Sequence, residues 1–112
     1  MHSPGEILLV PVPFTDLSSH KRRPVLVLSK QEYNIQAEDL IVAAITSVID
    51  TKTYAVMFSN DDMAEGNLKV DSCIRADKIY TLSQTLVVKR FGRVKPEIVD
   101  TVKAMIIDVM GY

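Results

Sequence analysis

The chain has 112 residues, enough for one domain and few for two. Hydrophobic residues make up 47% and charged residues 24%, an ordinary globular composition able to build a core without disulfide or metal staples. The net charge of −1 excludes a protein coated with nucleic acid through bulk charge, and leaves room for a local basic groove.

One cysteine, Cys73, permits no intramolecular disulfide, so a reducing cytoplasm is the expected location. The opening residues MHSPGEILLVPV lack the basic and long apolar regions of a signal peptide. No apolar run approaches the roughly 18 residues that cross a bilayer, so no membrane partner is expected. Two histidines, His2 and His20, and one cysteine are too few for a spaced zinc cluster, and neither glycine-rich phosphate loop occurs. No metal or cofactor is expected.

In chain order, Gly5-Glu6 opens a first strand, Ile7–Val10, apolar at every position and therefore without a clean wet face. Pro11 and Pro13 fray it into a loop that carries Thr15, Asp16, Ser18 and Ser19 and ends in His20-Lys21-Arg22-Arg23. Pro24 then switches the chain into a buried strand, Val25–Ser29. The residue before a proline favours extended backbone, so Arg23 is expected to be held by the sheet already. A cation at the root of a rigid strand beside a basic loop suits phosphate recognition. The plainer reading is a solvated hairpin loop.

Lys30–Asp39 is polar and without period, a connection or a single helical turn. Leu40–Ile45 reads as a third strand that delivers Thr46-Ser47 at its end, and Tyr54–Phe58 as a fourth. Asn60–Asn67 is a turn-rich acidic loop. Val70–Arg75 alternates like a half-buried strand, with Asp77 just beyond. Leu86–Val94 is the last strand, Gly92 marking a bend or bulge. Pro96–Met110 changes period: Ile98, Val99, Val102, Met105, Ile106 and Val109 line a helical face, with Pro96 at the first position and Gly111 as a cap. The expected fold is mainly β in the α+β sense. It is one domain over residues 1–112, with a five- or six-stranded, largely antiparallel, strongly bent or closed sheet and a C-terminal helix packed on it.

The candidate chemistry is a set of polar residues at strand ends: Arg23, Thr46-Ser47, Arg75 and Asp77. Arg75 and Asp77 are two apart, so in extended backbone they project on one side, either as a surface ion pair or as a base beside an anion clamp. Cys73, inside an apolar strand, reads as a small core residue. Lys21, Arg22, Lys89, Arg90, Arg93 and Lys95 either solvate the surface or grip phosphates. Phe14 and Tyr80 read as packing residues.

Several blocks together resemble the MazF/PemK (Kid-like) toxins of type II toxin–antitoxin systems. They are Gly5-Glu6-Ile7, Pro13-Phe14-Thr15-Asp16, Lys21-x-Arg23-Pro24-x-Leu26-Val27-Leu28-Ser29, Val42-Ala43-Ala44-Ile45-Thr46-Ser47 and Ser72-x-Ile74-Arg75-x-Asp77-x-Ile79-x-Thr81-Leu82. The resemblance runs nearly the whole chain, in order. It implies a small SH3-like barrel of the CcdB–PemK type, a homodimer, and metal-independent, sequence-specific cleavage of single-stranded RNA (mRNA) restrained by a cognate antitoxin. Contact with DNA is implied only through the antitoxin complex. Arg23 matches the family's Arg-Pro arginine and Thr46 its strand-end threonine. Arg75 and Asp77 match an Arg-x-Asp whose aspartate is assigned as base and whose arginine is acid or phosphate partner. Phe14, Thr15, Asp16, His20, Lys21, Arg22 and Ser47 are the substrate-binding candidates.

The residue chemistry agrees in outline. RNA carries its own nucleophile, the 2′-OH, so the protein needs a proton acceptor and charge stabilisers but no attacking serine or cysteine. Asp77 is the candidate acceptor, and Arg23 and Arg75 the stabilisers, helped by Thr46 and Ser47. A guanidinium titrates above about 12, so phosphate clamping is the easier role for arginine to fill. His20 has the right chemistry to protonate the leaving oxygen, but the loop here is shorter than in relatives with a histidine there, and the role is not carried over. Rival readings are a non-cleaving toxin that inhibits a protein target, as gyrase-poisoning CcdB does on a related fold, and a catalytically degenerate member.

Overall fold

The computed structural model describes residues 2–12, 21–47 and 54–111. Its strands are β1 (Glu6–Pro11), β2 (Arg22–Val27), β3 (Asp39–Thr46), β4 (Ala55–Phe58), β5 (Met63–Glu65), β6 (Ser72–Ser83) and β7 (Lys89–Val94). Two helices accompany them, α1 (Gln31–Gln36) and α2 (Pro96–Val109). The strands form one sheet in the order β4-β6-β3-β2-β1-β7-β5, with every adjacent pair antiparallel. The result is a curled half-barrel closed on one side by α2. Among the described residues no helix is long and apolar enough to cross a membrane.

β1 and most of β2 and β3 are covered on both faces, which explains their unbroken apolar runs. Ile7, Leu26, Ala43, Ile45 and Ile74 face one core, which Val99 and Val102 of α2 complete. Leu8, Val10, Val25, Val27 and Val42 point the other way into a second core with Leu40, Leu82 and Leu86. Side chains alternate along each strand, so a strand buried on both faces has no polar positions to show. Leu8 and Leu26 are wholly buried on opposite faces, and each such side chain contributes about 1.5–3 kcal/mol relative to exposure.

Seven strands are present among the described residues rather than five or six. The extra one is β5, three residues inside the stretch read as an acidic loop. It is launched from a turn, Asn60–Asp62, where Ser59 and Asp62 cap each other, and it pairs with β7. β6 is also twice the length expected: it runs through Arg75 and Asp77 to Ser83 instead of ending at Arg75. Its polar middle hides it, because Asp77 and Lys78 interrupt the alternation at a bulge. β2 begins at Arg22 and stops at Val27, so Ser29 lies beyond it. There the Ser29 hydroxyl donates to Asn34 Oδ1 at 2.6 Å, and the Asn34 amide donates to the Ser29 carbonyl at 2.9 Å. This buried polar knot fixes α1, the helical alternative of the two readings that the sequence left open for Lys30–Asp39. Residues 84–86 form a turn capped by Ser83, so β7 starts at Lys89 rather than Leu86.

Gly92 sits at a register shift, as its sequence position implied: Ile7 pairs with Gly92 but Leu8 pairs with Arg90, leaving Phe91 extra. Its φ is +149°, and a Cβ there would lie 2.2 Å from the carbonyl oxygen of Glu65. Only glycine lets β5 approach β7 this closely. α2 runs to Val109 with Pro96 in its first turn, close to the expected bounds. Tyr54 Oη donates to Asp108 Oδ2 at 3.0 Å, tying the end of α2 to the start of β4.

Candidate active site

The strand-end residues are brought together by register. Val25 of β2 pairs with Ala44 of β3, and Ala44 pairs with Arg75 of β6. Directly opposed residues of antiparallel strands project on the same face. Two residues toward the strand ends, the same count sets Arg23 beside Thr46, and Thr46 pairs with Cys73. Arg23, Thr46 and Arg75 therefore share one face on three adjacent strands, the face opposite α2. With strands about 4.8 Å apart and a two-residue offset of about 7 Å along them, the two arginine backbones are about 12 Å apart. That is within the reach of two guanidinium groups converging on one phosphate.

Arg23 is exposed and forms no ion pair with a described residue. Pro24 behind it and Val10 opposite it hold its backbone in the sheet. Thr46 is half-buried and Ser47 exposed. Arg75 is largely covered, its side chain 12% exposed, and it reaches Asp77 through two parallel hydrogen bonds. Nε donates to Oδ1 at 3.0 Å and Nη2 to Oδ2 at 3.1 Å.

Asp77 owes its position to a wide bulge. The pairing jumps from Ala43–Ile79 to Ala44–Arg75, so Ala76, Asp77 and Lys78 are surplus in β6. A bulge re-aims side chains, and this one presents the carboxylate at the surface beside Arg75. The Arg75 hydrogen bonds hold the Asp77 carboxyl below its ordinary pKa against a smaller opposing effect of burial, with Lys78 adding a minor pull in the same direction. In the free chain Asp77 is thus a carboxylate engaged by Arg75.

Lys21 and Arg22 are exposed at the entry to β2, where the Val12 N–H donates to the Lys21 carbonyl at 2.9 Å. Phe14, Thr15, Asp16 and His20 lie outside the described residues. Cys73 is fully buried, in keeping with a core role, whereas Tyr80, read as a packing residue, is 37% exposed. Among the described residues no three His, Cys, Asp or Glu side chains are grouped to hold a metal ion.

Sequence reasoning missed a second charged cluster, on β1, β5 and β7. Glu6, only 3% exposed, accepts from Arg90 Nε. Arg90 Nη2 also donates to Glu65 Oε2 at 2.8 Å, and Arg93 donates to Glu65 Oε1. Arg90 is held above its ordinary pKa by Glu6 first and Glu65 second, and Glu65 below its own chiefly by Arg90. The two arginines read as surface or phosphate-gripping cations are engaged in ion pairs. No local signal announces this, because Glu6 and Arg90 are 84 residues apart.

No curated protein sequence matches the chain. Solved structures do. A mycobacterial endoribonuclease in complex with its cognate antitoxin superposes with a TM-score of 0.81 at 17% identity, covering 99% of this chain and 96% of that one. The Mycobacterium tuberculosis toxin MazF-mt6 gives 0.75 at 18% identity, covering 94% and 95%. MazF in a MazE–MazF complex from Deinococcus radiodurans gives 0.77 at 17%, covering 98% and 95%. At such identities the likeness establishes the curled half-barrel with its C-terminal helix. The model of the PemK-like, MazF-like toxins of type II toxin–antitoxin systems matches residues 3–110, and the chain belongs to that family.

Proposed function

We propose that this toxin is a metal-independent endoribonuclease that cuts single-stranded RNA at short sequences, leaving a 2′,3′-cyclic phosphate and a 5′-hydroxyl. The observation that carries the reading is the common face of Arg23, Thr46 and Arg75, with Asp77 bonded to Arg75. The ribose 2′-OH attacks the adjacent phosphorus while Asp77 takes its proton, the P–O5′ bond breaks, and the departing 5′-oxygen takes a proton from water. Arg23 and Arg75 bind the non-bridging oxygens and stabilise the extra negative charge, and Thr46 and Ser47 add hydrogen bonds.

The closed Arg75–Asp77 pair gives this mechanism an order of events. A phosphate that competes for the Arg75 guanidinium releases Asp77, and loss of those two hydrogen bonds raises its pKa. The substrate thereby makes its own base available. The same pair also favours a second reading: a member that binds without cutting keeps it closed.

The structures of relatives bound to antitoxins support a cognate antitoxin as partner of this chain, with an acidic segment masking the basic strand ends. A homodimer is part of the same proposal. Mapping cut ends on a long mixed-sequence RNA tests the cleavage reading. Cuts at a short motif, with cyclic phosphate ends and unchanged in EDTA, are expected. Intact RNA, or cleavage that EDTA abolishes and Mg²⁺ restores, contradicts the reading.

A further inference from the structure

We propose that a groove behind the strand ends that carry Arg23 and Thr46 holds one nucleobase of the bound RNA and sets which base is accepted near the scissile phosphate. The inference rests on the ribonuclease reading for its biological meaning, though not for its test. The groove has a volume of about 450 Å³, the size range of a small-ligand site. Pro24, Ile45 and Ser72 line it, the chain neighbours of Arg23, Thr46 and Cys73. Alternation along the strands therefore puts the phosphate-binding candidates on one face and the groove on the other, at the same end of the sheet. A single strand of RNA passing over those ends meets both.

Its lining matches a base rather than a chain of charges. Phe58, Leu68, Val70 and Phe91 make it apolar, and Phe91 is 38% exposed with the Lys89 ammonium over its ring, a cation that a stacking base takes the place of. Asn67 contributes an exposed amide with both donor and acceptor, suited to a base edge. Lys69 and Lys89 stand at the groove without an ion pair to any described carboxylate, and Lys89 Nζ lies 5.1 Å from the centre of the Phe91 ring. No carboxylate is among the described lining residues. Arg90, also in the lining, is held by Glu6 and Glu65, so it stiffens the wall and leaves the lysines to meet flanking phosphates. An acidic peptide would satisfy the lysines and Arg23, but it gains less from the aromatic ring and the neutral amide.

The test uses 2′-O-methyl RNA oligonucleotides, which lack the attacking hydroxyl and so report binding alone, in a panel varied one base at a time. Fluorescence anisotropy is read for the full chain and for Phe91→Ala and Lys69→Glu. The wild type is expected to prefer one base at one position. Phe91→Ala should lose that preference by about tenfold. Lys69→Glu should weaken the whole panel and lower the salt dependence by about one phosphate contact. Lys69 is exposed, so its variant reports even if Phe91→Ala destabilises the fold. These results with no cleavage of ordinary RNA leave the groove standing and sink the ribonuclease reading. A wild type without base preference, or a preference untouched by both variants, overturns the groove whether or not RNA is cut. Variants that keep the preference but escape neutralisation by an acidic antitoxin segment identify a peptide site instead, and also overturn it.

Discussion

Two regions of this sheet are rich in arginine, and they use it differently. On β1, β5 and β7, Arg90 and Arg93 are matched by Glu6 and Glu65 in a continuous run of ion pairs. On β2, β3 and β6, Arg23 has no carboxylate among the described residues, and Arg75 shares one at an exposed bulge. The first cluster is a strut that holds an edge of the sheet. The second leaves positive charge unspent where the strands end. An arginine's role is therefore decided by whether the fold supplies a carboxylate, which counting cations along a sequence does not reveal.

The comparison can be broken at either region. The largest expected effect is on the site: Asp77→Asn should lower kcat for RNA cleavage by about 10²–10⁴, the usual contribution of a positioned base. Single-turnover cleavage of a defined oligoribonucleotide measures it, and an unchanged rate would remove Asp77 from the mechanism. Next comes the edge. Gly92→Ala forces a Cβ against the backbone of Glu65 and should cost about 3 kcal/mol or more in stability, read by urea denaturation. Glu6→Ala removes a buried acceptor and should cost about 2 kcal/mol, a fall in Tm of about 10 °C. If Glu6→Ala instead spared stability, the strut would be an ordinary surface ion pair.

The smallest effect is a pH dependence. Arg75 depresses the Asp77 pKa, so the stability this pair contributes is present above the ordinary aspartate value and lost as pH falls through the depressed one. Arg75→Gln and the wild type should therefore differ most near neutrality and converge in acid, below about pH 4. A carbon-detected NMR titration should place the Asp77 carboxyl lower in the wild type than in Arg75→Gln. Equal values would mean that the ion pair does not persist in solution.

Much of the fold was legible because apolar runs are long and their bounds are marked by proline and glycine. Ile7–Val10, Leu40–Ile45 and Pro96–Met110 fall within a few residues of β1, β3 and α2. What escaped was short or polar. β5 depends on a glycine-permitted approach to β7, and α1, read as a connection or a single helical turn, is decided only by the hydrogen-bonded Ser29–Asn34 knot. β6 was cut short because its bulge places Asp77 and Lys78 where alternation demands a buried residue. For the site, Arg75 and Asp77 do meet, across a bulge rather than by plain alternation, and the pair formed is the ion pair weighed as the plainer alternative. That Arg23 and Thr46 share a face with Arg75 follows only from strand order and register, which no local pattern carries.

The most direct test of the account is cleavage of a mixed-sequence RNA by Arg23→Ala in EDTA, with its Tm measured alongside. Arg23 is exposed and outside the strut, so its loss should change stability by less than about 0.5 kcal/mol. The account predicts a folded protein that no longer cuts RNA which the wild type cuts. A variant that is folded and still cuts at the wild-type rate would contradict it.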